Sequence, residues 1–203
     1  MNHPVPDPII CACVLAAGKS SRFGSTKLVQ LYKGRPLVQH ALMAAQGACP
    51  GRVSLVVGHD QISVGDAAAG LFDKLLVNSD FASGIGSSIS VAVKACQEDA
   101  DAMIVILADQ PLVTDAHIRN LIDKWSGANN EIVTTTFDAI SCPPILFPVS
   151  AFSALSRLEG DNGAKSLLSS DDFIVATVDF PPAAQDIDIP ADLRRISQDR
   201  SDA

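Results

Sequence analysis

Acidic side chains are missing from the first quarter of the chain, although the protein as a whole is acidic. The 203 residues include 23 Asp or Glu and 15 Lys or Arg, which gives a formal net charge of −8. No Asp or Glu occurs between Pro8 and His59, where six Lys or Arg make the segment cationic. The overall acidity argues against a nucleic-acid binder and against a protein held on anionic membranes by a basic patch. A locally cationic segment can instead attract a small polyanion.

Long hydrophobic runs, paired cysteine motifs and aromatic residues are also scarce. The apolar run at residues 9–17 is too short to span a bilayer, and no Lys or Arg precedes it as in a signal peptide. The five cysteines form no CxxC pair and no Cys/His cluster with zinc spacing. We therefore expect a cytoplasmic protein with reduced thiols. Aromatic residues make up only 5% of the chain and indicate no platform for stacking a nucleobase.

Short β-branched runs alternate with longer amphipathic segments along the chain. Several runs, such as VSLVV and AMIVIL, are almost entirely apolar, which is typical of strands covered on both faces. The alternation predicts βαβ units with a mainly parallel sheet in one α/β domain over residues 1–203, with a frayed tail at 197–203. The predicted strands are 9–15, 53–57, 74–77, 102–107, 131–135 and 173–178. The predicted helices are 36–47, 61–71, 86–97, 115–125, 150–158 and 164–169.

A glycine-rich turn, LAAGKSSRFGSTK at residues 15–27, follows the first predicted strand. Gly18 and Gly24 let the backbone approach a ligand closely, and successive N–H groups in such a loop form an anion-binding concavity. Arg22 can hold phosphate oxygens with its planar fork, and Lys27 can add a point charge. The spacing matches neither a P-loop nor a dinucleotide-binding fingerprint. The segment predicts a phosphate site, and the alternative is an ordinary βα turn with solvated cations.

Local patterns also predict how individual side chains are placed. Thr114 precedes a predicted helix and is expected to cap it. His117 on that helix is expected to face solvent. Cys11 and Cys13 alternate along the first strand, so both are expected on one of its faces.

Five motifs in order resemble a known family. They are the turn at 15–27, Asn78 with GIGSS at 84–88, LADQP at 107–111, GDNGA at 160–164 and DIDIP at 186–190. Together they resemble the MobA-like molybdopterin nucleotidyltransferases, most closely the molybdenum cofactor cytidylyltransferase branch, over roughly residues 9–195. The resemblance implies a Rossmann-like, three-layer α/β fold of the nucleotide-diphospho-sugar transferase type. It also implies transfer of a nucleoside monophosphate from an NTP to a phosphate acceptor, with Mg²⁺ and with release of pyrophosphate.

The identity of the two substrates follows from the same resemblance. In this family LAAG near the start is associated with CTP and LAGG with GTP, and Ala17 stands where the second glycine would be. The resemblance therefore implies CTP as donor, molybdopterin or the molybdenum cofactor as acceptor, and a molybdenum hydroxylase as client. The alternatives are GTP as donor, another phosphorylated acceptor such as a sugar phosphate, or a carrier without catalysis. Arg22, Lys27 and Asp109 favour catalysis, because a carrier does not need both metal and triphosphate groups.

The resemblance assigns roles to individual residues. Arg22, Lys27 and Asp109 are the expected catalytic residues. Asp109 and Asp188 are the expected metal ligands, and Asp109 also follows a buried strand at the edge where α/β proteins bind ligands. The competing interpretations are a turn-capping role for Asp109 and an acid-rich tail for Asp188. The expected nucleotide-binding residues are Leu15, Ala16, Ala17, Gly18, Arg22, Gly24, Lys27, Asn78, Gly84, Ser87 and Ser88.

The acceptor side carries fewer expectations. Asp161 and Lys165 belong to it by resemblance, although Lys165 also suits a solvated surface position. Cys142 stands where family members usually have a glycine, shortly before a strand that contains proline, and is expected to narrow the acceptor pocket. Ser87 or Ser88 has a second interpretation as the cap of the following helix.

Overall fold

The computed structural model of the protein describes residues 7–96 and 100–198. The strands are β1 Ile10–Ala16, β2 Leu31–Tyr32, β3 Arg35–Pro36, β4 Val53–Val57, β5 Lys74–Val77, β6 Ala102–Leu107, β7 Glu131–Phe137, β8 Ile140–Pro148 and β9 Ile174–Asp179. The helices are α1 Leu37–Ala48, α2 Gln61–Ala67, α3 Ile85–Cys96, α4 Asp115–Lys124, α5 Phe152–Leu155, α6 Lys165–Leu168 and α7 Pro190–Gln198. None of the helices in the described ranges combines the length and the apolar character needed to cross a membrane.

Within the described residues, seven strands form one sheet in the order β5-β4-β1-β6-β8-β7-β9, and β2 and β3 form a separate hairpin. Only β8 runs against the other strands of the large sheet. All five residues of β4 are buried, as its apolar run predicts. One core cluster packs α1, α2 and α4 on one face of the sheet, and a second packs α3, α5 and α6 on the other. The predicted three-layer α/β fold with a mainly parallel sheet is confirmed.

The sequence predictions omit β8 and α7. Prolines at 143, 144 and 148 interrupt the β8 segment, and proline normally argues against a central strand. Yet β8 pairs with β6 on one side and with β7 on the other, where a bulge between Thr134 and Thr135 shifts the register. Helix α7 includes Ser197 and Gln198, so these two residues do not begin a frayed tail. The rest of that predicted tail, 199–203, lies outside the described residues.

Two local predictions are confirmed. The Thr114 hydroxyl accepts a hydrogen bond from the His117 backbone N–H at 3.2 Å, which caps α4. Cys13 is buried in one core cluster and Cys11 packs against the same cluster, so both lie on one face of β1. The Cys13 sulfur lies 3.4 Å from that of Cys96 on α3.

The prediction that His117 faces solvent is wrong. Its side chain is buried against the sheet, because it lies on the same face of α4 as Leu121, one turn later. Its Nε2 lies 2.8 Å from the Thr135 hydroxyl, and its ring stacks on Phe180 with the centroids 4.0 Å apart. Burial lowers the pKa of His117 to about 4, so the ring is neutral at physiological pH.

Candidate active site

Two adjoining pockets open at the carboxyl ends of β1 and β6, where parallel α/β sheets bind ligands. The loop pocket has a volume of about 260 Å³ and is lined by Leu15, Ala16, Gly18, Ser20, Ser21, Arg22, Lys27, Leu28, Asp109 and Asp188. The helix pocket has a volume of about 370 Å³ and is lined by Leu15, Ala17, Gly18, Lys19, Phe81, Ala82, Gly84, Ile85, Ser88, Leu107, Asp109 and Asp161. Leu15, Gly18 and Asp109 line both, so the two pockets form one continuous site.

Lys27 joins the two expected metal ligands. Its ammonium lies 2.7 Å from Asp109 Oδ2, 3.2 Å from Asp188 Oδ1 and 2.8 Å from the Ile187 carbonyl oxygen. Burial alone would lower the pKa of Lys27, but the charge of Asp109 and its hydrogen bond, followed by those of Asp188, raise it. The ammonium is therefore charged, and it holds together two carboxylates that are far apart in the sequence.

Asp109 has one oxygen that this contact does not satisfy. Its Oδ1 is buried and finds no hydrogen-bond partner among the described residues. Buried carboxylate oxygens in proteins are normally paired, so this atom is suited to bind a cation. Carboxylate oxygens of Asp109 and Asp188 are the hard ligands that Mg²⁺ and Mn²⁺ prefer. Within the described residues no group of three or more His, Cys, Asp or Glu is placed to hold a metal.

Gln110 fixes the segment that carries Asp188. Its Nε2 donates to the Ala183 carbonyl oxygen at 3.2 Å and to Asp186 Oδ1 at 2.9 Å. The Ile187 N–H donates to the Asp109 carbonyl oxygen at 3.1 Å, which adds a backbone contact. Burial, followed by the charge of Asp109, raises the pKa of Asp186 to about 6. No role is predicted for Gln110 from the sequence, although it stands beside Asp109 in the LADQP motif.

The glycine-rich turn presents its cations in different ways. Arg22 is exposed over 78% of its side chain, and its guanidinium lies 3.4 Å from Asp188 Oδ2. Lys27 is mostly buried and begins a short 3-10 turn. Gly24 adopts a φ of +80° but lines neither pocket. A Cβ on Gly18 would meet nothing within 4 Å, so this backbone is open to a ligand.

Asn78 organises the first turn of α3. Its Nδ2 donates to Ser87 Oγ at 2.8 Å and to Ser88 Oγ at 3.0 Å, and its Oδ1 accepts from the Asp80 N–H at 2.9 Å. Asn78 and Ser87 line neither pocket, whereas Ser88 lines the helix pocket. Because Ser88 Oγ accepts from Asn78, its hydroxyl hydrogen is available to donate to a ligand. The interpretation of either serine as a helix cap is wrong, because α3 already begins at Ile85.

The helix pocket ends where Gly84 meets the segment that bears Asp161. Gly84 has a φ of +114°, and a Cβ there would lie 2.4 Å from the Gly160 carbonyl carbon and 2.6 Å from Asp161 Oδ1. Only glycine permits this approach. Asp161 lines the helix pocket, whereas Lys165 is exposed on α6 and lines neither pocket.

Phe81 and Lys19 also line the helix pocket, and neither is predicted there from the sequence. Phe81 and Ala17 both pack against Gly58, since a Cβ built on Gly58 would lie within 3.0 Å of each side chain. The Lys19 ammonium lies 5.8 Å from the centre of the Phe81 ring. The low aromatic content therefore did not exclude an aromatic wall in the site.

Cys142 lies on β8, opposite Thr135 next to the bulge of β7, and lines neither pocket. It is half-buried. Burial, followed by the charge of Asp186, raises the pKa of the thiol to about 11. The thiol is therefore protonated at neutral pH, which disfavours a reactive role.

Comparison with known proteins identifies one matching family model and several relatives of this chain. A family model described as the MobA-like NTP transferase domain matches residues 12–181. The purine catabolism protein PucB of Bacillus subtilis is 31% identical over 171 residues, which cover 80% of this chain and 82% of PucB. The bifunctional protein GlmU of Kineococcus radiotolerans is 34% identical over 136 residues, which cover 65% of this chain and 27% of GlmU. The chain therefore matches only about a quarter of the length of that GlmU.

Solved structures extend the similarity to nearly the whole chain. The crystal structure of Rv0371c from Mycobacterium tuberculosis superposes with a TM-score of 0.81 at 26% identity, covering 96% of this chain and 100% of Rv0371c. A structure of Rv0371c in complex with manganese gives a TM-score of 0.78 at 27% identity, covering 94% and 98% of the two chains.

Proposed function

We propose that this chain, which belongs to the family of MobA-like NTP transferases, transfers a cytidylyl group from CTP to the phosphate of molybdopterin or the molybdenum cofactor. An acceptor phosphate oxygen forms a bond to the α-phosphorus of CTP, and the bond from that phosphorus to the bridging oxygen of the β-phosphate breaks. Pyrophosphate leaves. One observation carries the proposal: Oδ1 of Asp109, which has no hydrogen-bond partner among the described residues, is buried where the loop pocket and the helix pocket meet.

In-line attack on phosphorus requires positioning and charge neutralisation more than covalent help. The open backbone at Gly18 and the exposed guanidinium of Arg22 are suited to hold the β- and γ-phosphates. The ammonium of Lys27 lies deeper and is suited to neutralise charge on the α-phosphate as the new bond forms. The loop pocket is thus assigned to the triphosphate.

Asp109 and Asp188 would hold a divalent ion, which we propose to be Mg²⁺. An ion held by these two residues would supply positive charge that neutralises part of the phosphate charge. Phosphate oxygens would complete the set of ligands, since Mg²⁺ is usually bound by one or two carboxylates together with substrate phosphates. The manganese complex of Rv0371c supports a divalent metal in a related chain.

The helix pocket is assigned to the nucleoside. Ala17 lines it with a methyl group that a glycine would lack, and the narrower space supports a pyrimidine over a purine. The hydroxyl of Ser88 can donate to a carbonyl oxygen of the base, because Asn78 already occupies its acceptor position. The ring of Phe81 offers an apolar wall beside Ala17.

The acceptor is assigned to the side of the site that Asp161 borders. Molybdopterin as acceptor rests on the five motifs in order, and a molybdenum hydroxylase is the corresponding client. The acid-free segment around Arg22 and Lys27 provides the positive field that draws two phosphorylated substrates to one site.

The proposal is tested with purified protein, Mg²⁺ and each of the four NTPs, with molybdopterin, molybdenum cofactor or a sugar phosphate as acceptor. Pyrophosphate release and the dinucleotide product are measured together. We expect both to form fastest with CTP and a molybdopterin acceptor. Fastest release with GTP would show that GTP, not CTP, is the donor. Fastest release with the sugar phosphate would show that a sugar phosphate is the acceptor. Tight cofactor binding without release from any NTP would instead establish the carrier.

A further inference from the structure

Lys27 lies where the two carboxylates converge, and this position has a consequence for metal binding. The three oxygens around its ammonium come from Asp109, Asp188 and the Ile187 carbonyl, at 2.7, 3.2 and 2.8 Å. Such a set of oxygens around one cation resembles the coordination of a metal ion by protein oxygens. We infer that the Lys27 ammonium is a placeholder for the divalent ion, and that metal and nucleotide must therefore bind together. The inference rests on the metal site of the proposed function, but not on the identity of base or acceptor.

The charges within the site support this inference. Asp109 and Asp188 contribute two negative charges, while Lys27 and Arg22 contribute two positive charges that lie within 3.4 Å of those carboxylates. These four charges therefore cancel one another before any ligand arrives. A divalent ion entering alone would add two positive charges beside a buried ammonium, in a site whose low dielectric strengthens the repulsion.

The burial of the contact makes this competition strong. The side chains of Lys27 and Asp109 are only 13% and 21% exposed, so water screens their attraction poorly. The ammonium must therefore move away from the carboxylates for a metal to take its place.

A triphosphate supplies the reason to move. It carries several negative charges into the loop pocket, which Lys27 and Arg22 both line. Each cation then exchanges a carboxylate partner for phosphate oxygens, and the carboxylates become available to the metal. By linkage, the nucleotide tightens metal binding by the same factor by which the metal tightens nucleotide binding.

The inference is tested by titrating the protein with Mn²⁺ and measuring free ion by electron paramagnetic resonance, after subtracting the Mn²⁺ that the same concentration of nucleotide binds without protein. With Mn²⁺ alone we expect weak binding by the wild type and binding about tenfold tighter by Lys27→Met, a factor within the usual range of coupled binding. Adding a non-hydrolysable analogue of CTP should tighten Mn²⁺ binding by the wild type about tenfold and by Lys27→Met much less. Analogues of the other three nucleotides are run in parallel, so an incorrect base assignment leaves the coupling detectable.

Three variants test whether a change in Mn²⁺ binding comes from the charge at position 27 and requires both carboxylates. Lys33→Met removes the same charge from an exposed position on the β2–β3 turn and should bind Mn²⁺ like the wild type. Lys27→Arg keeps the charge and should also bind Mn²⁺ alone weakly. Asp188→Asn added to Lys27→Met should abolish the gain, because the tighter site requires both carboxylates. Thermal unfolding of each variant verifies that it is folded.

Two results would overturn the inference. One is wild-type protein that binds Mn²⁺ equally well with and without every nucleotide analogue. The other is folded Lys27→Met protein that binds Mn²⁺ no more tightly than the wild type. Both measurements are made without an acceptor and without turnover, so either result leaves the proposed cytidylyl transfer to its own test.

Discussion

Gln110 donates a hydrogen bond from its side-chain Nε2 to Oδ1 of Asp186 across 2.9 Å, and this contact ties the end of β6 to the segment before α7. The two segments carry Asp109 and Asp188, whose carboxylates must converge for a metal to bind both. A second bond from Nε2, to the Ala183 carbonyl, holds the same segment further upstream. We therefore propose that Gln110 positions these two segments and does not itself bind the metal.

We predict that Gln110→Ala weakens Mn²⁺ binding about tenfold in the presence of nucleotide, because residues that orient metal ligands typically contribute 10- to 100-fold. Turnover should fall at low Mn²⁺ and recover substantially at saturating Mn²⁺. Gln39→Ala is the matched control, since Gln39 makes a similar side-chain bond, to the Ala67 carbonyl at 2.7 Å, and lines neither pocket of the site. A loss of turnover that saturating metal does not restore would argue against a positioning role.

Asp109→Asn should lower the rate of nucleotidyl transfer about a hundredfold or more, since it removes a charged ligand from the reacting centre. The neutral amide keeps the shape of the side chain but weakens the buried ion pair with Lys27, so the thermal unfolding midpoint should also fall and turnover is measured well below it. Asp123→Asn makes the same chemical change at an exposed position of α4 and should retain wild-type turnover. Asp109→Asn protein with wild-type rates would remove Asp109 from the metal site.

Ala17→Gly should shift the preference for the donor nucleotide. Removing the methyl group widens the helix pocket beside Phe81, which reduces the penalty for a purine. We expect the ratio of kcat/KM for GTP to that for CTP to rise about tenfold, since one methyl group in a pocket typically discriminates by that order. The ratio is obtained from pyrophosphate release at limiting nucleotide. If it stays constant, the base is discriminated elsewhere in the pocket.

Gly84→Ala should destabilise the protein and impair nucleotide binding together. The new Cβ would lie 2.4 Å from the Gly160 carbonyl carbon, and the backbone φ of +114° is itself unfavourable for alanine. The free energy of unfolding should fall by about 2 kcal/mol or more, from the combination of strain and steric overlap. Gly127→Ala is the control, because Gly127 also has a positive φ, +84°, but has nothing within 4 Å. Equal losses in the two variants would show that the contact with Gly160 contributes nothing.

Sequence patterns anticipated most of the sheet because its strands are buried on both faces. A continuous apolar run such as Val53–Val57 is evident without knowledge of its neighbours. The strand Ile140–Pro148 was missed because its prolines contradict the usual pattern, and pairing on both sides stabilises it regardless. The proximity of Asp109 and Asp188 depends on topology, so it is expected only through resemblance to a family, and their shared contact with Lys27 is not predicted at all. The positions of Gln110, Phe81 and Lys19 depend on contacts across the fold, which spacing along the chain does not encode.

His117 illustrates the same limit for a titratable group. The Thr135 hydroxyl donates to the Pro144 carbonyl at 2.8 Å, so its oxygen accepts a hydrogen bond from His117 Nε2. This sequence of bonds fixes a neutral ring with its proton on Nε2. Stacking on Phe180 covers one face of the ring. A second proton would place a charge in the core without an acidic partner among its described contacts, and burial accordingly lowers the pKa to about 4.

We predict that the free energy of unfolding falls as the pH drops below about 6.5, because the buried ring of His117 resists protonation. Between its unfolded pKa of 6.5 and its folded pKa of about 4, the unfolded chain binds a proton that the folded chain does not. The stabilising contribution is complete above this window, and about 2 kcal/mol of it is lost by about pH 5. Asp186, with its pKa raised to about 6, changes stability in the opposite direction, so comparison with a variant is required.

His117→Gln keeps an N–H donor for Thr135 but does not titrate. Urea unfolding at about pH 7.5 and about pH 5 should show a larger loss for the wild type than for His117→Gln, by about 2 kcal/mol. Equal losses would mean that His117 is protonated in the folded protein.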